Sequence, residues 1–238
     1  MTLQGASRPV LKPTAAHDET FADYTYHIEG ELVPALTIEI GGGRTVYFEH
    51  HILLWKHPSV IIGLKAMKGA LKRAIAGMQV FVTEASGSGQ IAFSRDGAGH
   101  IFALHLKQGE EIHVREHQFL AATQNIDYTF ERVKGISNML MGGTGFFIDK
   151  FHGHQGDGIL WLHGYGNVFE KVLAPGEVIE VEPGGWLYKD VNVKMDTNIQ
   201  RLSTGLLGAM QFVTNRFTGP GRVGIQSMYL TFDTDSDK

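Results

Sequence analysis

The chain has 238 residues, with 21 Lys and Arg against 25 Asp and Glu, a net charge of -4. It has no cysteine, which excludes disulfides, thiol catalysis and thiolate-bound zinc or iron–sulfur centres. Its 30 Gly, 7 Pro and 43% hydrophobic residues describe a turn-rich globular protein, and the absence of a basic run argues against a dedicated nucleic-acid binder.

Residues 1–22 read as a flexible N-terminal tail. Met1–His17 lacks the apolar centre of a signal peptide, and Pro9 and Pro13 spoil an amphipathic transit helix. No apolar stretch approaches the roughly 18–20 residues of a membrane span. The expectation is a cytoplasmic protein, with a mitochondrial place as the alternative in a eukaryote. Residues 23–230 form one expected β domain, and 231–238 an acidic C-terminal tail.

Within that domain the sequence repeats three times, at a period of about 66 residues: Glu39–Gly87, His105–Gly153 and Val172–Gly219. Each unit opens near a glycine (Gly43, Gly109, Gly176). Val46, Ile112 and Ile179 follow, then Phe48, Val114 and Val181, then Leu54, Leu120 and Leu187. Each closes on Gly87, Gly153 or Gly219. Apolar residues alternate with Glu180 and Glu182, or with His113 and Arg115, the period-two pattern of a half-buried strand. Short strands between glycine turns predict an all-β fold of antiparallel sheets, and three like units predict a pseudo-threefold arrangement. All three leucines are expected in the core.

Each unit carries a connector ahead of its closing strand. In Leu64–Ile75 the residues Leu64, Met67, Leu71 and Ile75 follow helical spacing and predict a short amphipathic helix. Its equivalents, Ile136–Thr144 with Met139, Leu140 and Met141, and Leu202–Met210 with Leu206, Leu207 and Met210, are Gly-rich helical turns by the same reading. These long apolar side chains are the interface candidates, for a homo-oligomer or a protein partner. Lys65, Lys68, Lys72 and Arg73 give the first connector a basic face, so peripheral membrane contact is the minor alternative.

Chemistry-bearing motifs are sparse. His152 and His154 share a face if they lie on a strand, and with His163 they form a weak candidate metal site. Their position around the closing Gly153 favours polar turn residues. The cupin motif is not met: six residues separate Gly145 from His152, and Ile179 stands where its second motif wants His. Glu49-His50-His51 and Arg115-Glu116-His117 are equivalent in two units and read as turns. Gly97-Ala98-Gly99 and Gly164-Tyr165-Gly166 lack the third glycine of a dinucleotide-binding turn and read as hairpins.

The closing segment Phe217-Thr218-Gly219-Pro220-Gly221-Arg222-Val223, echoed by Gly87-Ser88-Gly89-Gln90-Ile91, resembles the Gly-x-Gly-x-apolar signature of the altered inheritance of mitochondria protein 24 family. Gly176-Glu177, Trp186-Leu187 and the triple repeat extend the resemblance from about Tyr24 to Met228. It implies a fold similar to the tryptophan RNA-binding attenuator-like architecture. It also implies a link to mitochondrial inner-membrane organisation in fungal members, and soluble bacterial members. Without a catalytic motif the expected function is a non-enzymatic scaffold or interaction protein needing no cofactor. The alternative is a metal- or small-molecule-dependent β-barrel enzyme.

Overall fold

The structure, a computed structural model, describes residues 8–13, 17–67, 81–133, 146–203 and 209–228. Every element among them is a β-strand, and every pairing is antiparallel. The chain begins with β1 (Val10–Leu11), β2 (His17–Phe21) and β3 (Tyr24–Glu29). Six strands follow: β4 (Ala35–Ile40), β5 (Val46–Phe48), β6 (Leu53–Lys56), β7 (Val60–Ala66), β8 (Phe81–Gly87) and β9 (Gly89–Phe93). Then come β10 (Gly99–Leu106), β11 (Glu111–Arg115), β12 (Phe119–Thr123), β13 (Ile126–Val133), β14 (Phe146–Gly153) and β15 (Gly158–Tyr165). The last six are β16 (Val168–Leu173), β17 (Val178–Val181), β18 (Trp186–Asp190), β19 (Lys194–Ser203), β20 (Ala209–Thr218) and β21 (Gly221–Gln226).

The strands form four sheets. Sheet I runs β2-β3-β4-β9-β6, and sheet II runs β10-β15-β12-β5-β8-β7. Sheet III runs β1-β16-β21-β18-β11-β14-β13, and sheet IV runs β17-β20-β19. Sheets II and III are therefore composites. Sheet II joins β5-β8-β7 to β10-β15-β12 through β5 on β12, and sheet III joins β16-β21-β18 to β11-β14-β13 through β11 on β18. Among the described residues no pairing joins β6 to β17.

Alternation along the strands feeds separate cores on the two sides of each sheet. Tyr26, Ile38 and Phe93 of sheet I meet Phe48 and Trp161 of sheet II. On the other face of sheet II, Tyr47, Leu104 and Leu160 meet Ile112, Phe151 and Tyr188 of sheet III. Trp186 and Val223 of sheet III meet Val181 and Phe217 of sheet IV. The sheets thus stack in the order I, II, III, IV. Burial on both faces explains the unbroken run Gly158–Tyr165, in which all residues are buried.

The glycine turns behave alike. Gly43, Gly109 and Gly176 adopt φ of 78°, 88° and 76°, with open space where a Cβ would sit, so the left-handed backbone alone selects glycine. Glu110 and Glu177 brace two of these turns by accepting from the backbone N–H of Lys107 at 2.7 Å and of Ala174 at 2.8 Å. A Cβ on the closing Gly153 or Gly219 would collide with the carbonyl of Lys107 or Ala174, so these positions serve close backbone approach.

Several expectations are corrected. No helix occurs among the described residues: Leu64 belongs to β7, drawn into the strand begun by Val60-Ile61-Ile62, and β19 and β20 pair as far as Ser203 and Ala209. The part of the N-terminal tail at 10–11 and 17–21 is stranded, paired with β16 and β3. The Gly97-Ala98-Gly99 and Gly164-Tyr165-Gly166 segments are not hairpins; they carry the chain from sheet I to II and from II to III. Leu54, Leu120 and Leu187 do share a place, the residue at a register break in β6, β12 and β18. Leu120 and Leu187 are fully buried, but Leu54 is 56% exposed. Leu120 packs between sheets I and II and Leu187 between II and III, whereas no described sheet precedes sheet I.

These environments set the expected energetics. Leu120→Ala and Leu187→Ala each cost about 2–5 kcal/mol in urea unfolding, as buried leucine truncations do. Leu54→Ala stays within about 0.5 kcal/mol of the wild type.

Candidate functional site

The edge hairpin β13–β14 of sheet III gathers the densest set of metal-ligating side chains among the described residues. The antiparallel register sets Asp127 directly opposite His152, and on the other flank of β14 sets Glu111 opposite the same His152. Directly opposed residues share a face, so Asp127, His152 and Glu111 form one row across three strands. His154 lies just beyond Gly153, its backbone N–H donating to the Asn125 carbonyl at 3.0 Å. Its Nδ1 is 3.8 Å from Oδ2 of Asp127, and its ring centroid is 6.1 Å from that of His152. One ligand atom from each of Asp127, His152 and His154 lies within 4.8 Å of the others. Glu111 is engaged on its own side, with Oε1 2.7 Å from Nε2 of His113.

Asp127 and His154 also line a cleft of about 310 Å³, whose other walls include Tyr47, Lys65, Met67, Val82 and Tyr128. Nζ of Lys65 stands 4.9 Å from the centre of the Tyr47 ring and 3.4 Å from the Glu84 carboxylate. The Tyr47 hydroxyl donates to the Ile126 carbonyl at 2.9 Å. Burial, reinforced by the Asp127 charge, holds that phenol well above its ordinary pKa, so it serves as a donor and not as a base.

His163 stands apart from this group. It is buried, with Nε2 3.2 Å from the Gly97 carbonyl. Desolvation, aided by the Arg95 charge, pushes its pKa down to about 4. The structure therefore keeps His152 and His154 together, replaces His163 by Asp127 as their neighbour, and moves His152 from a turn into β14. The Glu49-His50-His51 and Arg115-Glu116-His117 segments are turns as expected, with φ of 70° at His51 and 66° at His117.

The second functional feature is a pair of open sheet edges. β6 ends sheet I and β17 ends sheet IV. Leu53, Leu54 and Trp55 of β6 and Val178 of β17 are exposed.

A family model described as mitochondrial biogenesis AIM24 matches residues 26–228. The chain belongs to this family. It is the family to which the repeat and the glycine signature point. Among solved structures, this AIM24 chain is similar to a Streptococcus pyogenes protein solved by X-ray crystallography under a structural-genomics programme. The likeness runs at 23% identity over 87% of this chain and 94% of that one, with a TM-score of 0.64, and it speaks for the fold alone. No curated protein matches the sequence.

The interface candidates of this AIM24 chain scatter. Leu64, on the edge strand β7, is 72% exposed, but Met67 is buried in the core between sheets II and III and cannot act as an exposed contact. Leu71, Ile75, Met139, Leu140, Met141, Leu206 and Leu207 lie outside the described residues, and Met210 is placed only as a backbone position of β20. Sequence reasoning missed Asp127, because nothing local links it to a histidine 25 residues on. It missed β6 and β17 because an edge is a property of pairing.

Acid sensitivity follows from His163. The folded state keeps it neutral down to about pH 4, while the unfolded chain protonates it near 6.5. The unfolded state thus binds the extra proton, and stability present above about pH 6.5 is lost as the pH falls toward 4. His100, His113 and His117, all lowered mainly by burial, act in the same direction. Urea midpoints measured from pH 7 to 4 decline, and His163→Asn makes the decline shallower. His154→Ala, at an exposed position, leaves stability at pH 7 within about 0.5 kcal/mol.

Proposed function

We propose that this protein is a non-enzymatic scaffold that assembles head to tail with further copies of itself. The observation that carries this reading is the unit junction. Between the first and second repeats β5 pairs with β12, and between the second and third β11 pairs with β18. β17 and β6 hold the corresponding positions at the two ends of the chain, and each terminates a sheet. A β17 edge of one copy set against the β6 edge of another would repeat a junction the chain already makes twice. Sheets IV and I would then be the two halves of one composite sheet, equivalent to II and III. The sheet III of the added copy would lie over the side of sheet I that carries Leu54.

The three repeats are, in this reading, successive steps of one rotation. A third of a turn per step would bring β6 and β17 of the same chain together. The missing pairing favours an open array whose ends meet in another molecule. The edges present exposed Leu53, Leu54 and Trp55 on β6 and Val178 on β17, while the charges beside them are held within the chain: Lys56 donates to the Val60 carbonyl, and Glu180 accepts from Asn198 and Thr214. A cytoplasmic place, or a mitochondrial one in a eukaryotic host, belongs to the same proposal.

Sedimentation of the purified chain tests it. The wild type sediments above the 26.2 kDa of one chain, increasingly so with concentration. Leu54→Lys and Val178→Lys each return it to the monomer, and circular dichroism reports an intact sheet. A wild type that stays monomeric at all concentrations, or variants that keep the larger mass, would overturn the reading. So would vesicle binding by a monomer that these two variants abolish, since that gives the surface to lipid.

A further inference from the structure

We infer that Asp127, His152 and His154 form a binding site for a single divalent transition-metal ion at the mouth of the cleft. Two of the three ligands are fixed by strand pairing. Asp127 and His152 are register partners on β13 and β14, so their side chains leave the sheet on one face at adjacent positions. The third, His154, is positioned by the hydrogen bond of its own N–H to Asn125, one strand-turn away from Asp127. Sites built on strands hold their geometry better than sites on free loops.

The distances fit an ion. The ligand atoms lie within 4.8 Å of one another, with Asp127 and His154 at 3.8 Å. Zinc bonds of about 2.0–2.1 Å in tetrahedral geometry separate ligand atoms by roughly 3.3 Å. Small rotations of exposed or half-exposed side chains close that gap. As a coordination shell the three groups share one centre.

The donor set selects the class of metal. Two imidazoles and one carboxylate suit zinc, nickel, cobalt or iron(II), and not the oxygen-loving calcium or magnesium. Glu111, across β14 from His152, adds a second carboxylate to the same row and favours positive charge there. His113 pins that carboxylate from its far side, the arrangement expected of an outer-shell group. Three protein ligands leave at least one coordination position open. Asp127 and His154 line the cleft, so that position borders a space with Tyr47 and Lys65 on its walls. The site takes a metal ion with water, or with a small anionic ligand completing the shell. It is independent of the assembly reading, because it lies on β13–β14 and not on β6 or β17.

Titration of chelator-stripped protein with zinc alone, followed by calorimetry, tests the site. One ion binds per chain. Asp127→Asn and His154→Ala each weaken binding by more than the 10–100-fold that loss of an outer-shell partner costs. His27→Ala, which removes an exposed histidine flanked by Asp18 and Glu29 elsewhere, leaves the affinity unchanged. Cobalt(II) in place of zinc gives visible ligand-field bands in the wild type that vanish in Asp127→Asn. No zinc binding by the folded wild type overturns the inference. Equal affinity in Asp127→Asn or His154→Ala overturns it as well. Because His154 is exposed, the His154→Ala arm reads the site without risk to the fold.

Discussion

A backbone strand presents hydrogen-bonding groups on both sides, and in this chain strands far apart in sequence satisfy one another's. In sheet II the edge of β5-β8-β7 meets that of β10-β15-β12, and in sheet III the edge of β16-β21-β18 meets that of β11-β14-β13. The pairing of β5 with β12 and of β11 with β18 is therefore what ties successive stretches of chain into shared sheets. The stack of sheets, the double-sided burial of Gly158–Tyr165 and the division of the apolar residues into three cores all follow from it. So does the contrast between Leu120 and Leu187, which are interior, and Leu54, which lies at the surface.

Much of this was legible in the sequence. Gly43, Gly109 and Gly176 announce turns because only glycine takes their left-handed backbone without strain, and a residue chosen by local conformation can be read locally. The alternation around Ile112 and Ile179 likewise marks strands from their own residues. The partner of each strand was not legible. Gly97-Ala98-Gly99 looks like a hairpin because a glycine-rich link between two apolar runs has the same composition whether the runs pair or part company. The helical spacing of Leu64 and Met67 also misled. Positions 64 and 67 suit one face of a helix, but Leu64 is held in β7 opposite Thr83, and long-range pairing outweighs a weak local preference.

The metal-ligating group divides the same way. His152 and His154 are visible because a spacing of two puts strand side chains on one face, although His154 itself lies just beyond β14. Asp127 becomes their neighbour only through the register of β13 on β14, which no spacing rule predicts. His163 drew notice by being a histidine close in sequence, yet its burial and its contact with Gly97 make it part of the packing. A residue type hints at chemistry; the register decides which residue types share a place.

In the proposed assembly the unequal ends, β6 and β17, carry a consequence for size control. A molecule with β6 at one end and β17 at the other is like a monomer with two different reactive groups: it can join only in one sense. Such contacts close into a ring when the angle of a step divides the circle, and otherwise run on as a helix. The number of copies would then be a property of sheet twist and of the glycine links between sheets, not of how strongly the edges adhere. Changing the strength of the joint would alter how many assemblies exist, while changing the step angle by a few degrees would alter how many members each one has.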